Sequence, residues 1–87
     1  MNKALTACLT FLVNKRYIGG KHFPEKILIK SRTKWLTKKE VREFDKEYKK
    51  IKPYLIRLKK RTRKGSSWHI SINPKCLPEI EKLLELE

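Results

Sequence analysis

The stretch Leu36-Thr37-Lys38-Lys39-Glu40-Val41 decides the fold of this chain, because it marks the start of a helix more clearly than any other segment does. Thr37 and Glu40 have the spacing of a capping box, in which each side chain accepts a hydrogen bond from the other residue's backbone N–H. Leu36 and Val41 are placed to form the hydrophobic staple that often accompanies such a start. The pattern therefore predicts a helix that begins after Thr37.

The charges of this helix are sorted by face. Pro53 disfavours helical geometry at the residue before it, so the helix should end close to Ile51. At 100° per residue, one face carries Val41, Phe44, Tyr48 and Ile51. A sector of roughly 120° on the other side carries Lys38, Lys39, Arg42, Lys46, Lys49 and Lys50, which we call the basic stripe. The acidic residues lie on its flanks: Glu40, Glu43, Asp45 and Glu47.

Three shorter elements are predicted before the capped helix. Residues 3–14 place Leu5, Cys8, Leu9 and Leu12 at helical spacing, which predicts a helix with one buried face. Residues 16–18 predict a short strand or extended connection that Gly19 and Gly20 end. Residues 24–30 are compatible with a helix that starts at Pro24 and buries Ile27 and Leu28, or with a strand.

Two strands and a helix are predicted after Pro53. Residues 55–58 and 68–72 have strand composition, and in the second strand Trp68, Ile70 and Ile72 alternate with His69 and Ser71. Residues 59–67 between them predict a hairpin with a long, basic tip. A terminal amphipathic helix follows, starting at Asn73-Pro74 or at Pro78, with its apolar positions at Leu77, Ile80, Leu83 and Leu84.

The charge balance restricts the class of partner. The 87 residues carry 23 Lys and Arg against 9 Asp and Glu, a formal net charge of +14. The C-terminal segment 79–87 is acidic, so residues 1–78 hold 22 basic and 5 acidic side chains, a net of +17. Such a density repels itself unless a polyanion neutralises it, and nucleic acid is the first candidate. An anionic membrane surface is the second.

Length and cysteine content favour one small intracellular domain over residues 1–87, in the cytoplasm. Cys8 and Cys76 are too few for a secreted disulfide framework and lie among apolar neighbours, which predicts buried, reduced thiols. The apolar run from Ala4 to Val13 is too short to cross a bilayer and lacks a signal-peptide cleavage site. The chain has no Gln and one Asp, a composition typical of heat-adapted proteins.

Metal and catalytic chemistry have little support in the sequence. Cys8, His22, His69 and Cys76 are zinc-compatible residue types, but they lack the close pairs of zinc fingers and ribbons. There is no Gly-rich phosphate loop and no recognisable nucleophile motif. We therefore expect neither an enzyme nor a bound cofactor or metal. Trp35 and Trp68 could stack on unpaired bases, although packing beneath the hairpin is the interpretation we favour.

The order of helix, short strand, helix, capped helix and basic hairpin resembles the winged helix-turn-helix domain. Three segments are similar to those of small, basic winged-helix proteins of hyperthermophilic archaea: Ile18-Gly19-Gly20-Lys21-His22, Lys34-Trp35-Leu36 and Trp68-His69-Ile70-Ser71-Ile72-Asn73-Pro74. The resemblance implies an α+β fold with a three-helix core, a short hairpin wing and an extra C-terminal helix. The chain departs from the family pattern at two places: the capped helix has an acidic flank, and the turn between the second helix and the capped helix has no Gly.

This resemblance implies a role for each basic element. The helix 38–51 would enter the major groove of DNA, and the wing 59–67 would contact phosphates or the minor groove. We favour Arg42 for a base contact, because a guanidinium can grip guanine through two parallel hydrogen bonds. The wing would add affinity that is independent of sequence through Lys59, Lys60, Arg61, Arg63 and Lys64, with Ser66 or Ser67 binding a phosphate. The expected function is sequence-selective binding of double-stranded DNA by a transcriptional regulator.

Two alternatives use the same charges. The chain could bind structured RNA or the ribosome through shape alone. It could also be a protein-interaction module that meets an acidic partner and docks through the terminal helix. That helix has more apolar residues than a thin core needs, so it either covers the first helix or forms a homodimer interface.

Overall fold

The computed structural model describes residues 1–86, and in that range the chain forms four α-helices and a three-stranded antiparallel sheet. The elements are α1 (Lys3–Asn14), β1 (Phe23–Pro24), α2 (Glu25–Thr33), α3 (Lys38–Ile51), β2 (Leu55–Thr62), β3 (Gly65–Ile72) and α4 (Leu77–Glu85). The strand order is β1-β3-β2, so the longest pairing is the β2–β3 hairpin. The predicted α+β class is confirmed.

The helix α1 lies at the centre of the core, as its apolar spacing predicted. Leu5, Leu9 and Leu12 are almost completely buried, and Cys8 lies with them. The Asn2 side chain caps the helix by accepting hydrogen bonds from the backbone N–H groups of Ala4 and Leu5, at 2.8 and 3.3 Å. The other elements contribute the rest of the core: Leu28, Phe44, Tyr48, Ile51, Leu55, Ile70, Ile72 and Ile80.

The chain leaves α1 through a tight reversal. The N–H of Tyr17 donates to the carbonyl of Leu12 and the N–H of Arg16 to that of Val13, the pattern of a Schellman motif. Arg16 has a φ of 59°, a left-handed conformation in which glycine is usually found. Ile18 then bridges Ile72 in a parallel sense, so the predicted extended connection lies against β3.

The helix α2 is confirmed as a helix, which rules out the strand interpretation of its apolar run. Pro24 precedes the first turn, and the helix continues to Thr33, three residues beyond the expected end. Leu28 is buried, but Ile27 has 60% of its surface exposed. The expectation that both would dock inward is wrong for Ile27, because adjacent helical residues point about 100° apart.

The hairpin differs most from its prediction. The two strands pair residue by residue from Leu55↔Ile72 to Thr62↔Gly65, and the turn contains only Arg63 and Lys64. The long loop expected over residues 59–67 is therefore mostly regular strand. Gly65 has a φ of 129°, which glycine adopts without a Cβ clash and which explains its place after the turn.

The C-terminal part begins with a single 3₁₀ turn at residues 74–76, capped by the Asn73 side chain. The helix α4 follows from Leu77, one residue before the alternative start at Pro78. Ile80 is completely buried, and Leu77, Leu83 and Leu84 pack partly buried against the core.

Cys8 is buried as expected, but Cys76 is half-exposed, and both thiols are free. Among residues 1–86, no helix is long and apolar enough to cross a membrane.

Candidate nucleic-acid interface

The basic stripe of α3 lies open to solvent along its whole length. All six of its cations are exposed: Lys38, Lys39, Arg42, Lys46, Lys49 and Lys50. The helix is fixed beneath them, because Phe44, Tyr48 and Ile51 are buried in the core and the predicted capping box is complete. Thr37 and Glu40 exchange hydrogen bonds of 3.0 and 3.2 Å between side chain and backbone. Hydrogen bonds that the Glu40 carboxylate accepts from Thr37, first of all from its backbone N–H, hold the pKa of that carboxyl below its ordinary value.

Two hydrogen bonds connect α3 to its neighbours. On the acidic flank of the stripe, the Glu47 carboxylate accepts a 2.7 Å hydrogen bond from the backbone N–H of Asn2, at the start of α1. On the buried face of the helix, the Tyr48 hydroxyl donates to the Glu25 carboxylate of α2, which also binds Arg57 of β2. These bonds hold α3 against α1, α2 and the hairpin.

The hairpin presents its cations on two faces, because side chains alternate along a strand and paired residues share a face. The inner face, which continues from the buried Ile70 and Ile72, carries the pairs Lys59↔Trp68 and Arg61↔Ser66. The outer face carries the pair Lys60↔Ser67 and, nearer the base, His69. Arg63 and Lys64 occupy the exposed turn. The predicted wing residues are thus all at one hairpin, but they do not form one continuous surface.

Glu25 joins α2, α3 and the hairpin. Its carboxylate accepts two hydrogen bonds from the Arg57 guanidinium, at 3.0 and 2.8 Å, and a third from the Tyr48 hydroxyl. Glu25 is only 9% exposed, so the charge it brings into the protein is compensated by these donors. Burial and the neighbouring carboxylate raise the pKa of Tyr48, which stays a donor, and the carboxylate raises that of Arg57.

Sequence reasoning missed this cluster, although one signal was present. Glu25 is the only acidic residue among the first 39, in a segment that is otherwise strongly basic. A lone carboxylate in such a segment has many possible cationic partners. Glu25 also lies just before the apolar residues Ile27 and Leu28, which were expected to dock inward. The pairing with Arg57 depends on a contact between residues 32 positions apart, which periodicity does not reveal.

The tryptophans correct another expectation. Packing beneath the hairpin was predicted for both rings, but Trp35 is 83% exposed and Trp68 is 44% exposed. Trp35 lies in the turn between α2 and α3, where it contacts its neighbour Lys34. Trp68 is bordered by Arg57 and Lys59, whose cationic groups lie 4.5 and 6.0 Å from the centre of its ring. The burial of Trp68 fails because the strands extend beyond the edge of the helical core.

The two histidines meet at the outer side of the sheet. The Nδ1 atoms of His22 and His69 are 2.8 Å apart, so one ring donates a hydrogen bond and the other accepts it. The pKa of His69 lies below its ordinary value of 6.5, because partial burial disfavours the cation and because His22 and Lys60 lie nearby.

The four zinc-compatible residue types do not come together as a metal site. Within residues 1–86, no group of three or more His, Cys, Asp or Glu side chains is arranged to hold a metal ion. Burial raises the pKa of the Cys8 thiol to about 11, so this thiol is protonated and unreactive at neutral pH.

Comparisons of the chain with protein-family models, with curated proteins and with solved structures found no match, so any functional assignment has to rest on the residues described above.

Proposed function

We propose that this chain is a winged helix-turn-helix domain that binds double-stranded DNA selectively and acts as a transcriptional regulator, with no enzymatic activity and no cofactor. The element order and the β1-β3-β2 sheet agree with that fold. In this arrangement α3 is the recognition helix and the β2–β3 hairpin is the wing. A homodimer through α4 remains a hypothesis, for which Leu86 is the exposed apolar residue near the end of the helix.

The exposed basic stripe is the observation that carries this proposal. Six cations on one face of a 14-residue helix repel one another, yet all six side chains are exposed in the described part of the chain. A polyanion that neutralises the row removes this repulsion and releases counterions. A major groove about 12 Å wide admits such a helix, and its N-terminal residues then lie closest to the base edges.

The roles within the interface follow from position and chemistry. Lys38, Lys39, Arg42 and Lys46 lie in the first part of α3 and would contact base edges and adjacent phosphates, with Arg42 as the base-reading residue. Lys49 and Lys50 would contact phosphates near the end of the helix. On the hairpin, Lys59, Arg61 and Ser66 would bind the backbone from the inner face, Lys60 from the outer face, and Arg63 and Lys64 from the turn.

The alternative of a docking module loses part of its support. Its discriminating residues were Ile80 and Leu84 of α4, but Ile80 is completely buried and Leu84 packs on the core. Substituting either residue would therefore test stability rather than docking. Structured RNA remains the competing polyanion, because a basic face without base contacts binds either duplex.

A salt titration with two ligands tests the proposal. The protein is mixed with a duplex DNA and with a folded RNA hairpin of equal charge, and the affinity is measured at several salt concentrations. We expect binding to duplex DNA with a slope of log K against log salt of about −4 to −7, as for roughly five to eight neutralised phosphates. Amide NMR signals of α3 and the hairpin should shift together. Equal or tighter binding to RNA would favour the alternative, and absence of binding to both would refute the proposal.

A further inference from the structure

Trp68 occupies an unusual position on the inner face of the hairpin. It lies two residues before the buried Ile70 on the same face of β3, nearer the hairpin turn, and keeps 44% of its surface exposed. A large aromatic ring that remains half in water contributes less to folding than a buried one. Its position is therefore better explained by a ligand than by packing.

The surroundings of this ring are fixed by the fold. The Arg57 guanidinium lies 4.5 Å from the ring centre and is held there by its two hydrogen bonds to Glu25. Lys59, directly opposite Trp68 on β2, brings a second cation to 6.0 Å. Trp35 differs, because its cationic neighbour is Lys34, the adjacent residue in the chain, at 5.0 Å from the ring centre.

An exposed aromatic ring with one cation held beside it and a second nearby has the chemistry of a nucleobase stacking site. Stacking on an aromatic side chain stabilises an unpaired base of any sequence. Glu25 already compensates the charge of Arg57, so Lys59 is the cation that can neutralise an adjacent phosphate. Bases inside a duplex are already covered on both faces by their neighbours. Away from its ends a duplex therefore offers no free base face to Trp68, whereas an unpaired base does.

We propose that Trp68, together with Arg57 and Lys59, forms a stacking site for an unpaired DNA base, so that the protein prefers duplex DNA with an adjoining single-stranded segment. The duplex part of this ligand rests on the function proposed above, with the basic stripe of α3 on the paired region. The hairpin then places Trp68 at the junction where pairing ends.

Tryptophan fluorescence tests this site directly. In the Trp35→Phe variant, Trp68 is the remaining tryptophan, and in the Trp68→Phe variant Trp35 is; excitation is chosen to exclude the three tyrosines. Each variant is titrated with a blunt duplex and with the same duplex carrying about six unpaired thymines at one end, a length within the usual range of single-strand sites. We expect strong quenching of Trp68 by the extended duplex, weak quenching by the blunt duplex, and little change of Trp35 with either ligand.

Affinities of substituted proteins give a second readout. The wild type should bind the extended duplex about tenfold more tightly than the blunt one, the scale expected for stacking one base. Trp68→Leu, which keeps an apolar side chain without a ring face, should abolish this preference while blunt-duplex binding stays within about twofold. Trp68→Phe should retain most of the preference. Circular dichroism checks that each variant is folded.

The outcomes separate the two proposals. If neither DNA binds, the proposed function fails. If both duplexes bind equally and Trp68 emission is unchanged, the protein binds DNA but the stacking site is refuted. A preference that survives in Trp68→Leu, or quenching confined to Trp35, would also refute it.

Discussion

The basic stripe of α3 and the basic hairpin differ in how the fold supports their charges. The stripe lies on a helix whose opposite side is anchored by Phe44, Tyr48 and Ile51, so the backbone that carries its six exposed cations is held in place. The hairpin projects beyond the core, and its cations alternate between an inner and an outer face. The comparison indicates that α3 supplies a defined surface, whereas the hairpin supplies an arm with two chemically different sides.

Glu25 connects the two regions, and removing its charge should have the largest effect. Glu25→Gln removes the negative charge and puts an NH₂ donor in place of one of the two acceptor oxygens that Arg57 and Tyr48 share, so we expect the free energy of unfolding to fall by about 2–3 kcal/mol. Urea unfolding measures the loss, and amide exchange should show that protection falls in β2 first. The matched variant Glu81→Gln, at an exposed position of α4, should change stability by less than about 0.5 kcal/mol. Equal effects of the two substitutions would show that Glu25 does not hold the hairpin.

The proposed roles of the basic stripe, which would recognise bases, and of the hairpin, which would bind phosphates, can be tested with one substitution in each region. Arg42→Ala should cost about 1–3 kcal/mol on the preferred sequence and reduce discrimination at one base pair. Lys60→Ala should weaken binding to all sequences alike and make the salt slope less steep by about 1. Competition binding with a randomised duplex pool measures both. If the two variants lose the same sequence preference, the division of roles is wrong.

The rigidity of α3 depends in part on its cap. Thr37→Ala removes the hydroxyl acceptor of the capping box and should lower stability by about 1 kcal/mol. The contribution of Glu40 is present above its ordinary pKa of 4.5 and is lost as the pH falls through its lowered folded value. Thr62→Ala is the control in the hairpin, where the hydroxyl makes an exposed 3.3 Å bond to the carbonyl of Gly65. We expect less than about 0.5 kcal/mol there, by thermal unfolding.

The smallest effect concerns the outer side of the hairpin. Because the pKa of His69 is lower in the folded protein than its ordinary 6.5, unfolding takes up a proton. The contribution of neutral His69 to the free energy of unfolding should therefore be fully present above about pH 6.5. It should be lost as the pH falls through the pKa of His69 in the folded protein. We expect a loss of less than about 0.5 kcal/mol, because the group is half-buried and solvent screens it. His69→Gln should flatten this decline in melting curves recorded between pH 7 and pH 5. If the dependence of the melting temperature on pH were unchanged in this variant, a group other than His69 would be responsible for the decline.

The elements that local patterns specify were predicted well. The capping box predicted the beginning of α3 and Pro53 predicted its end, and one-sided apolar spacing predicted α1 within residues 3–14. The predicted hairpin was found, but its strands continue to Thr62 and from Gly65, because backbone pairing does not stop where the side chains become basic. The basic stripe was predicted residue by residue and is exposed throughout, while its binding to DNA stays a proposal.

The amino-acid sequence by itself determined the helices α1 and α3, the presence of a basic hairpin and the placement of six cations on one face of α3, because these depend on residues within a few positions of each other. The tertiary structure decided the rest. It brought Glu25 to Arg57 and Tyr48, placed His22 against His69, and left Trp68 at the edge of the core beside Arg57. These contacts depend on how far each strand extends past the helices, which follows from the packing of the whole chain and has no counterpart in local spacing.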